Sequence, residues 1–107
     1  MTEMEKLAAL LKESNLPFES AEYELGGEMT TQICAPSKKH QDIDAVCHKY
    51  SYGYEQGLLE VMAHGPYYTK ITNYDVVGFL TATEAFELFN RWWTRYVKRE
   101  YYRTQWR

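Results

Sequence analysis

The sequence predicts an α+β domain in which an N-terminal helix and a long C-terminal helix pack on a four- to five-stranded, mainly antiparallel sheet. Apolar residues recur with a helical period near both ends of the chain and alternate with polar residues between them. The strand-like segments are joined by turns rather than by helices, which favours antiparallel pairing. With 107 residues, the chain is expected to form a single domain over 1–107.

The first helix is predicted over residues 3–14. Thr2 and Glu5 have the spacing of a capping box, in which each side chain binds the backbone N–H of the other residue. Pro17 lies just beyond the predicted end, where proline is tolerated because the helix has stopped. Four apolar residues share one face of this helix: Met4, Leu7, Ala8 and Leu11.

The centre of the chain contains five strand-like segments, which are residues 18–25, 28–35, 43–52, 58–62 and 75–79. Gly26 and Gly27 join the first two as a hairpin turn. In the first segment Ala21, Tyr23 and Leu25 alternate with polar residues, as expected for a strand. Residues 53–57 are predicted to be a turn-rich link. Residues 64–73 are predicted to form a loop, whose length favours a functional role.

The C-terminal helix is predicted to begin at a second capping box, formed by Thr81 and Glu84. Eight apolar residues then share one broad arc: Ala85, Phe86, Leu88, Phe89, Trp92, Trp93, Tyr96 and Val97. After Val97, an ideal helix would turn Arg99, Arg103 and Arg107 onto that arc. The helix is therefore expected to leave the core, or to end, at this point.

Charge is segregated along the chain. Residues 90–107 hold six basic residues and one acidic residue, a net charge of +5, whereas residues 1–89 hold 6 basic and 14 acidic residues, a net charge of −8. An acidic body with a basic end can use either part for a partner, or can bind itself or a second copy.

The acidic hairpin is one candidate binding surface. The hairpin and the residues before it form a stretch without Lys or Arg after Lys12, and its carboxylates come from Glu13, Glu19, Glu22, Glu24 and Glu28. We single out Glu19, Glu22 and Glu24 as partner-binding residues, because carboxylates spaced along a strand could imitate a nucleic-acid backbone. The alternative is a solvent-facing edge strand that its charges keep soluble.

Aromatic residues make up 16% of the chain, and ten of them are Tyr. Tyr provides a large contact area at a low cost in conformational entropy. Four tyrosines outside the predicted helices are taken as partner-binding anchors: Tyr52, Tyr54, Tyr67 and Tyr68. The alternative for each aromatic residue is that it fills volume in a small core.

The basic C-terminal end is a candidate contact for nucleic acid or for a second copy. Guanidinium groups bind phosphates and aromatic rings stack on bases. The candidate residues are Arg95, Arg99, Tyr102, Arg103 and Trp106. The alternative is the solvated face of an amphipathic helix.

No catalytic or metal site is predicted. Cys34, His40, Cys47, His48 and His64 do not have the spacing of a zinc site, and Cys34 and Cys47 are expected to be free thiols. His40, Asp42 and Asp44 could form an acid–base cluster, although a solvated turn uses the same residue types. An enzyme would require a pocket that gathers His40, Asp42 or His64 beside Glu60.

Two segments, SYGYEQGLLEVM at 51–62 and VGFLTATEA at 77–85, resemble a pattern in small uncharacterised proteins of Firmicutes bacteriophages and prophages. With the loop between them, they span about a third of the chain. The resemblance implies a viral origin, and small viral accessory proteins often disable host defences by binding. It assigns no functional residue.

These patterns lead to one leading expectation. The protein is expected to be a non-enzymatic, anti-CRISPR-like inhibitor that binds a bacterial defence protein in the cytoplasm of the infected bacterium, with no cofactor. No membrane-spanning or export segment is expected, and a homo-oligomer is compatible with the sequence. Sequestration of a nucleotide immune signal and nucleic-acid binding through the C-terminal helix are the alternatives.

Overall fold

Five antiparallel strands form one sheet in the order β1-β2-β3-β4-β5, so each strand pairs with its neighbours in sequence. The structure is a computed structural model that describes residues 1–105. The strands are Glu19–Leu25 (β1), Glu28–Pro36 (β2), Gln41–Val46 (β3), Leu59–Ala63 (β4) and Val77–Leu80 (β5). The helices are Glu3–Glu13 (α1), Tyr67–Lys70 (α2), Ala82–Trp92 (α3) and Lys98–Gln105 (α4). A π-helical turn, Trp93–Val97, joins α3 to α4. The predicted α+β class is confirmed.

Both predicted capping boxes are present. The Thr2 hydroxyl accepts from the N–H of Glu5 at 3.1 Å, and the Glu5 carboxylate accepts from the N–H of Thr2 at 2.8 Å. Thr81 and Glu84 repeat this exchange at the start of α3. The two helix starts also lie together, because the Glu3 carboxylate accepts from the N–H of Ala82 at 2.8 Å. That hydrogen bond lowers the pKa of Glu3.

The helices α1 and α3 pack on one face of the sheet, and the core lies between these two layers. Directly paired residues project from the same face of a sheet, so Ile33, Ala45 and Val61 line one row beneath the helices. Trp92 and Phe89 of α3 fill the centre of the core. The opposite face, which we call the open face, carries Gln32, Asp44 and Met62. Gln32 and Met62 are partly exposed there, whereas Asp44 is largely buried.

Three predicted boundaries were wrong. The third strand ends at Val46 rather than at residue 52, because Ser51 folds the chain into a turn: its hydroxyl accepts from the N–H of His48 at 2.9 Å. The predicted loop 64–73 contains the one-turn helix α2. The fifth strand occupies Val77–Leu80 instead of 75–79.

The C-terminal helix does not end after Val97. The π-helical turn takes in one residue more per turn than an α-helix, and this changes the direction of every later side chain. Tyr101 consequently packs against Trp93, with ring centroids 5.2 Å apart. The helix continues as α4, and Arg99 and Arg103 are exposed instead of facing the core.

Candidate functional site

Three exposed aromatic residues, Tyr52, Tyr54 and Phe79, line one shallow depression of about 280 Å³. We call this set the aromatic surface. The Tyr52 side chain is 60% exposed and Phe79 is 56% exposed, and their rings stack with centroids 6.4 Å apart. Exposed, contiguous aromatic rings are typical of interaction sites rather than of ordinary solvent-facing surface.

The aromatic surface is fixed by close contact between the β3–β4 loop and β5. The N–H of Phe79 donates to the carbonyl of Tyr52 at 3.3 Å. A Cβ atom on Gly78 would lie 2.4 Å from Cβ of Tyr52, so only glycine allows the two segments to approach this closely. Gly53 has a φ of 99°, and a Cβ there would meet Phe79 Cα at 3.1 Å. The two segments of the sequence pattern at 51–62 and 77–85 therefore meet in space.

Phe79 itself has an unusual backbone. Its φ is 58°, in the left-handed region that disfavours residues with a Cβ by about 1 kcal/mol or more. The strained residue lies in an edge strand and carries an exposed ring. Strain of this kind tends to occur where a side chain is held in place for function.

Carboxylates surround the aromatic surface. Glu28 accepts from the Tyr54 hydroxyl at 3.0 Å, and this hydrogen bond raises the pKa of the phenol. Glu60 accepts from the N–H of Tyr52 at 2.7 Å, and Glu55 lines the depression. Lys49 also lines it, and its ammonium donates to the carbonyl of Gly26 in the hairpin turn. The surface is therefore apolar at its centre and mainly acidic around it.

The four predicted tyrosine anchors do not form one surface. Tyr52 and Tyr54 lie together, but Tyr67 and Tyr68 lie in α2 and do not line the depression. Tyr67 is half-buried against Tyr96, with ring centroids 5.8 Å apart, and the Tyr68 hydroxyl donates to the carbonyl of Tyr74. Phe79 is not among the residues that the sequence indicates. The adjacent Gly78, in a short strand, is the sequence signal for a close contact at this point.

The three candidate glutamates also separate. Glu22 and Glu24 project from the helix side of β1, whereas Glu19 is paired with Cys34 and projects from the open face. Glu19 accepts from the N–H of Lys38 at 2.7 Å, which ties it to the β2–β3 connection. The three candidate carboxylates are therefore divided between two faces of the sheet, as the alternation of side chains along a strand requires.

Four of the C-terminal candidates are exposed on the helix end: Arg95, Arg99, Tyr102 and Arg103. The Tyr102 ring contacts Trp93, with centroids 5.8 Å apart, and the Arg103 guanidinium lies 3.1 Å from the Glu100 carboxylate. Trp106 lies outside the described residues.

A second site, which is polar, lies on the open face of the sheet around Asp44. The Asp44 side chain is largely buried, and its two oxygens accept from Gln32 Nε2 at 2.8 Å and from His64 Nε2 at 2.6 Å. Gln32 also lies 3.4 Å from the Gln41 side-chain oxygen. The hydrogen bond from His64 leaves its Nδ1 edge as the part of the imidazole that is not engaged by Asp44.

Next to it, a cleft of about 500 Å³ gathers His40, Asp42, His64 and Tyr67. Asp42 lies 3.1 Å from His40 Nε2 and accepts from the buried Trp92 indole at 3.2 Å. Burial, together with the charge of Asp42, raises the pKa of Tyr67. This histidine cleft holds two imidazoles that are each oriented by a carboxylate.

The cleft only partly meets the requirement for an enzyme. It brings His40, Asp42 and His64 together, but Glu60 is engaged by Tyr52 and does not line it. Among residues 1–105, no three His, Cys, Asp or Glu side chains converge closely enough to hold a metal ion. Oriented imidazoles can move protons, yet the residues that line this cleft include no Ser, Thr or Cys to act as a nucleophile.

Both cysteines are free thiols. Cys34 lies on the open face and is fully buried between its neighbours, and this burial raises its pKa to about 11. Burial also raises the pKa of Cys47. Neither thiol has the lowered pKa of a reactive cysteine.

No helix within residues 1–105 has both the length and the apolar character that crossing a membrane requires. Comparisons with known protein families, with curated proteins and with solved structures found no match to this chain.

Proposed function

We propose that the protein works by binding another protein through the aromatic surface of Tyr52, Tyr54 and Phe79. The observation that carries this proposal is the backbone of Phe79, which holds an exposed ring at a φ of 58° against Tyr52. Neither the strain nor the exposure helps the chain to fold. Both are understandable if the ring is an anchor that a partner buries.

The surroundings of the aromatic surface indicate the chemistry of the partner. Glu28, Glu55 and Glu60 lie around the rings, and residues 1–89 carry a net charge of −8. A partner with an apolar pocket bordered by Arg or Lys would complement this surface. Such cations also interact favourably with aromatic faces, and long-range attraction would speed association.

Surfaces rich in Arg and Lys, such as the one expected on the partner, are common on proteins that bind nucleic acid. The partner we propose is therefore a nucleic-acid-binding protein of a bacterial defence system, which this chain would inhibit by covering its basic surface. The resemblance of segments 51–62 and 77–85 to phage proteins supports the choice of a defence protein. The protein's place of action would then be the cytoplasm of the infected bacterium.

Sequestration of a nucleotide signal fits the site less well. The stacked pair of Tyr52 and Phe79 offers a face for a base, but phosphates would meet the carboxylates of Glu28 and Glu55. Lys49 is the cation that lines the depression, and a backbone carbonyl already engages its ammonium. Calorimetry with a nucleotide panel tests this alternative, and binding of any member would favour it.

The experiment that tests the proposal is affinity capture from a bacterial lysate with three immobilised proteins. These are the wild type, the double variant Tyr52→Ala/Phe79→Gly, and the control Tyr74→Ala. Tyr74 is a fair control because it is 65% exposed but lies in the segment between α2 and β5. A protein retained by the wild type and the control, but not by the double variant, supports the proposal. Equal retention by all three, or no retained protein, contradicts it.

A further inference from the structure

In the part of the chain that the structure describes, the helix side of β1 is largely exposed to solvent. α1 packs over β2 and against α3, whereas Ser20, Glu22 and Glu24 on the same side of β1 are exposed. Two adjoining depressions of about 390 and 260 Å³ run between α1 and this part of the sheet. We call this the β1 groove. Its apolar lining comes from Met4, Ala8, Met29 and Ile33.

Carboxylates border the β1 groove. Glu5 of α1 lines one side of it. Glu22 and Glu24 of β1 are paired with Thr31 and Met29 of its floor, and they project from the same face. No Lys or Arg occurs between Lys12 and Lys38, so the hairpin itself carries no cation, and Lys49 contacts it at the turn, at the carbonyl of Gly26. An occupant of the groove should therefore combine an apolar side chain with several cations.

The exposed face of α4 has this composition. At about 100° per residue, Lys98, Arg99, Tyr102 and Arg103 fall within an arc of about 140°. All four are exposed, although the Tyr102 ring also contacts Trp93 on one side, as Tyr101 does. α4 packs mainly against the π-helical turn that precedes it and projects from the rest of the fold. An aromatic ring flanked by three cations is thus presented to solvent at the end of the molecule.

This helix cannot reach the β1 groove of its own chain. Ala82, at the start of α3, is hydrogen-bonded to Glu3 beside the groove. Lys98 follows sixteen residues later, about 24 Å farther along a continuous helix at about 1.5 Å per residue. The molecule is elongated, at 43 × 25 × 23 Å, and the far end of this continuous helix is therefore well removed from the helix starts that border the groove. Docking within one chain would require the helix to break.

We propose that α4 docks into the β1 groove of a second copy of this chain, and that the two copies exchange helices across a two-fold axis. Tyr102 would occupy the apolar floor near Met29, and Arg99 and Arg103 would pair with Glu22 and Glu24. An antiparallel arrangement of two elongated molecules places each helix end beside the other's groove. Both contacts then form together, as in other isologous dimers.

The expected dimer is weak. A helix of eight residues is only about 12 Å long, so one contact buries little surface, and the two-fold axis doubles it. Much of the attraction is between exposed charges, which salt screens. We therefore expect a micromolar dissociation constant that rises with salt concentration. The dimer uses the helix side of β1 and leaves the aromatic surface free, so this inference does not rest on the proposed function.

Charge reversal tests the contact directly. The variants are Glu22→Arg/Glu24→Arg and Arg99→Glu/Arg103→Glu, and each places like charges on both sides of the contact. All four side chains are exposed, so both variants are expected to fold, which circular dichroism checks. The control Lys12→Glu/Arg91→Glu makes the same change in net charge as the second variant, at exposed positions outside the contact.

Molar mass is measured by light scattering and sedimentation from micromolar to submillimolar concentration. The wild type and the control should dimerise, and each charge-reversed variant should be monomeric. Mixing the two variants should restore a dimer, because each groove then meets a helix of opposite charge. A monomeric wild type over the whole range overturns the proposal. So does a dimer that survives both reversals, or a monomer whose helix end instead gives a salt-sensitive gel shift with DNA or RNA.

Discussion

The backbone N–H of Phe79 donates to the carbonyl of Tyr52 at 3.3 Å, while the rings of the same two residues stack 6.4 Å apart. Two residues that are far apart in the sequence are thus joined through both backbone and side chain. Gly53 and Gly78 make this contact sterically possible. The aromatic surface is therefore part of the folded framework rather than a loose loop.

Two substitutions of Phe79 separate the contribution of its ring to stability from that of its strained backbone. We expect Phe79→Gly to be more stable than Phe79→Ala by about 1 kcal/mol, because both remove the ring but only glycine accepts the left-handed φ of 58° without a Cβ clash. Urea denaturation of the two variants measures the difference. If Phe79→Ala proves the more stable, the backbone of Phe79 is not strained in the way described.

Because Gly78 lies so close to Tyr52, replacing this glycine with a larger residue should destabilise the fold. Gly78→Ala is expected to destabilise the protein by about 1 to 3 kcal/mol, since its Cβ would lie 2.4 Å from Cβ of Tyr52. Combining it with Tyr52→Gly removes the clashing atom. The double variant should then lose less free energy of unfolding than the sum of the losses of the two single variants. A double-mutant cycle, measured by thermal or urea denaturation, tests this. An additive result would mean that the two residues do not meet.

The Asp44 network should contribute to stability. Asp44→Ala leaves the His64 imidazole without its acceptor and the Gln32 amide with only its longer contact to Gln41, and we expect a loss of about 1 to 3 kcal/mol in the free energy of unfolding. Asp75→Ala, at an exposed carboxylate that accepts from the N–H of Val76, is the control and should cost less. Similar losses for the two variants would show that the network adds nothing.

Cys34 should make stability depend on alkaline pH. Burial raises its folded-state pKa to about 11, whereas an unfolded thiol ionises near about 8.5. The native state therefore retains a proton that the unfolded state releases, and stability falls as pH rises between these two values. Below the pKa of the unfolded state, the thiol is protonated in both states, so Cys34 causes no loss of stability there. Comparing urea midpoints of the wild type and Cys34→Ala from pH 8 to 10 isolates it, since Cys47 and the tyrosines are common to both; parallel curves would contradict the assignment.

The sequence was sufficient to predict the elements whose signals are local. Thr2 with Glu5, and Thr81 with Glu84, mark two helix starts correctly, because a capping box depends on residues three apart. Alternation in β1 placed Glu22 and Glu24 on one face. The sequence did not reveal that Val46 ends β3, since residues 47–52 have strand-like composition and the Ser51 turn outweighs it.

The site was harder to predict because it depends on contacts between distant segments. Residue type alone indicates Tyr52 and Tyr54, but only the fold shows that Phe79 joins them and that Tyr67 packs elsewhere. The π-helical turn likewise redirects Arg99 and Arg103 to solvent, which an ideal helical period does not anticipate. A change of helical phase at a π-helical turn depends on tertiary packing, here the packing of Trp93 against Tyr101.

The most direct measurement for the binding proposal is the affinity of the captured partner for purified wild-type protein and for Phe79→Gly, by calorimetry at equal salt. Removing an aromatic anchor from the centre of an interface commonly costs about 2 kcal/mol or more. We therefore predict that Phe79→Gly, while remaining folded, binds about thirtyfold more weakly or worse. An unchanged affinity would show that the partner is bound elsewhere on the molecule.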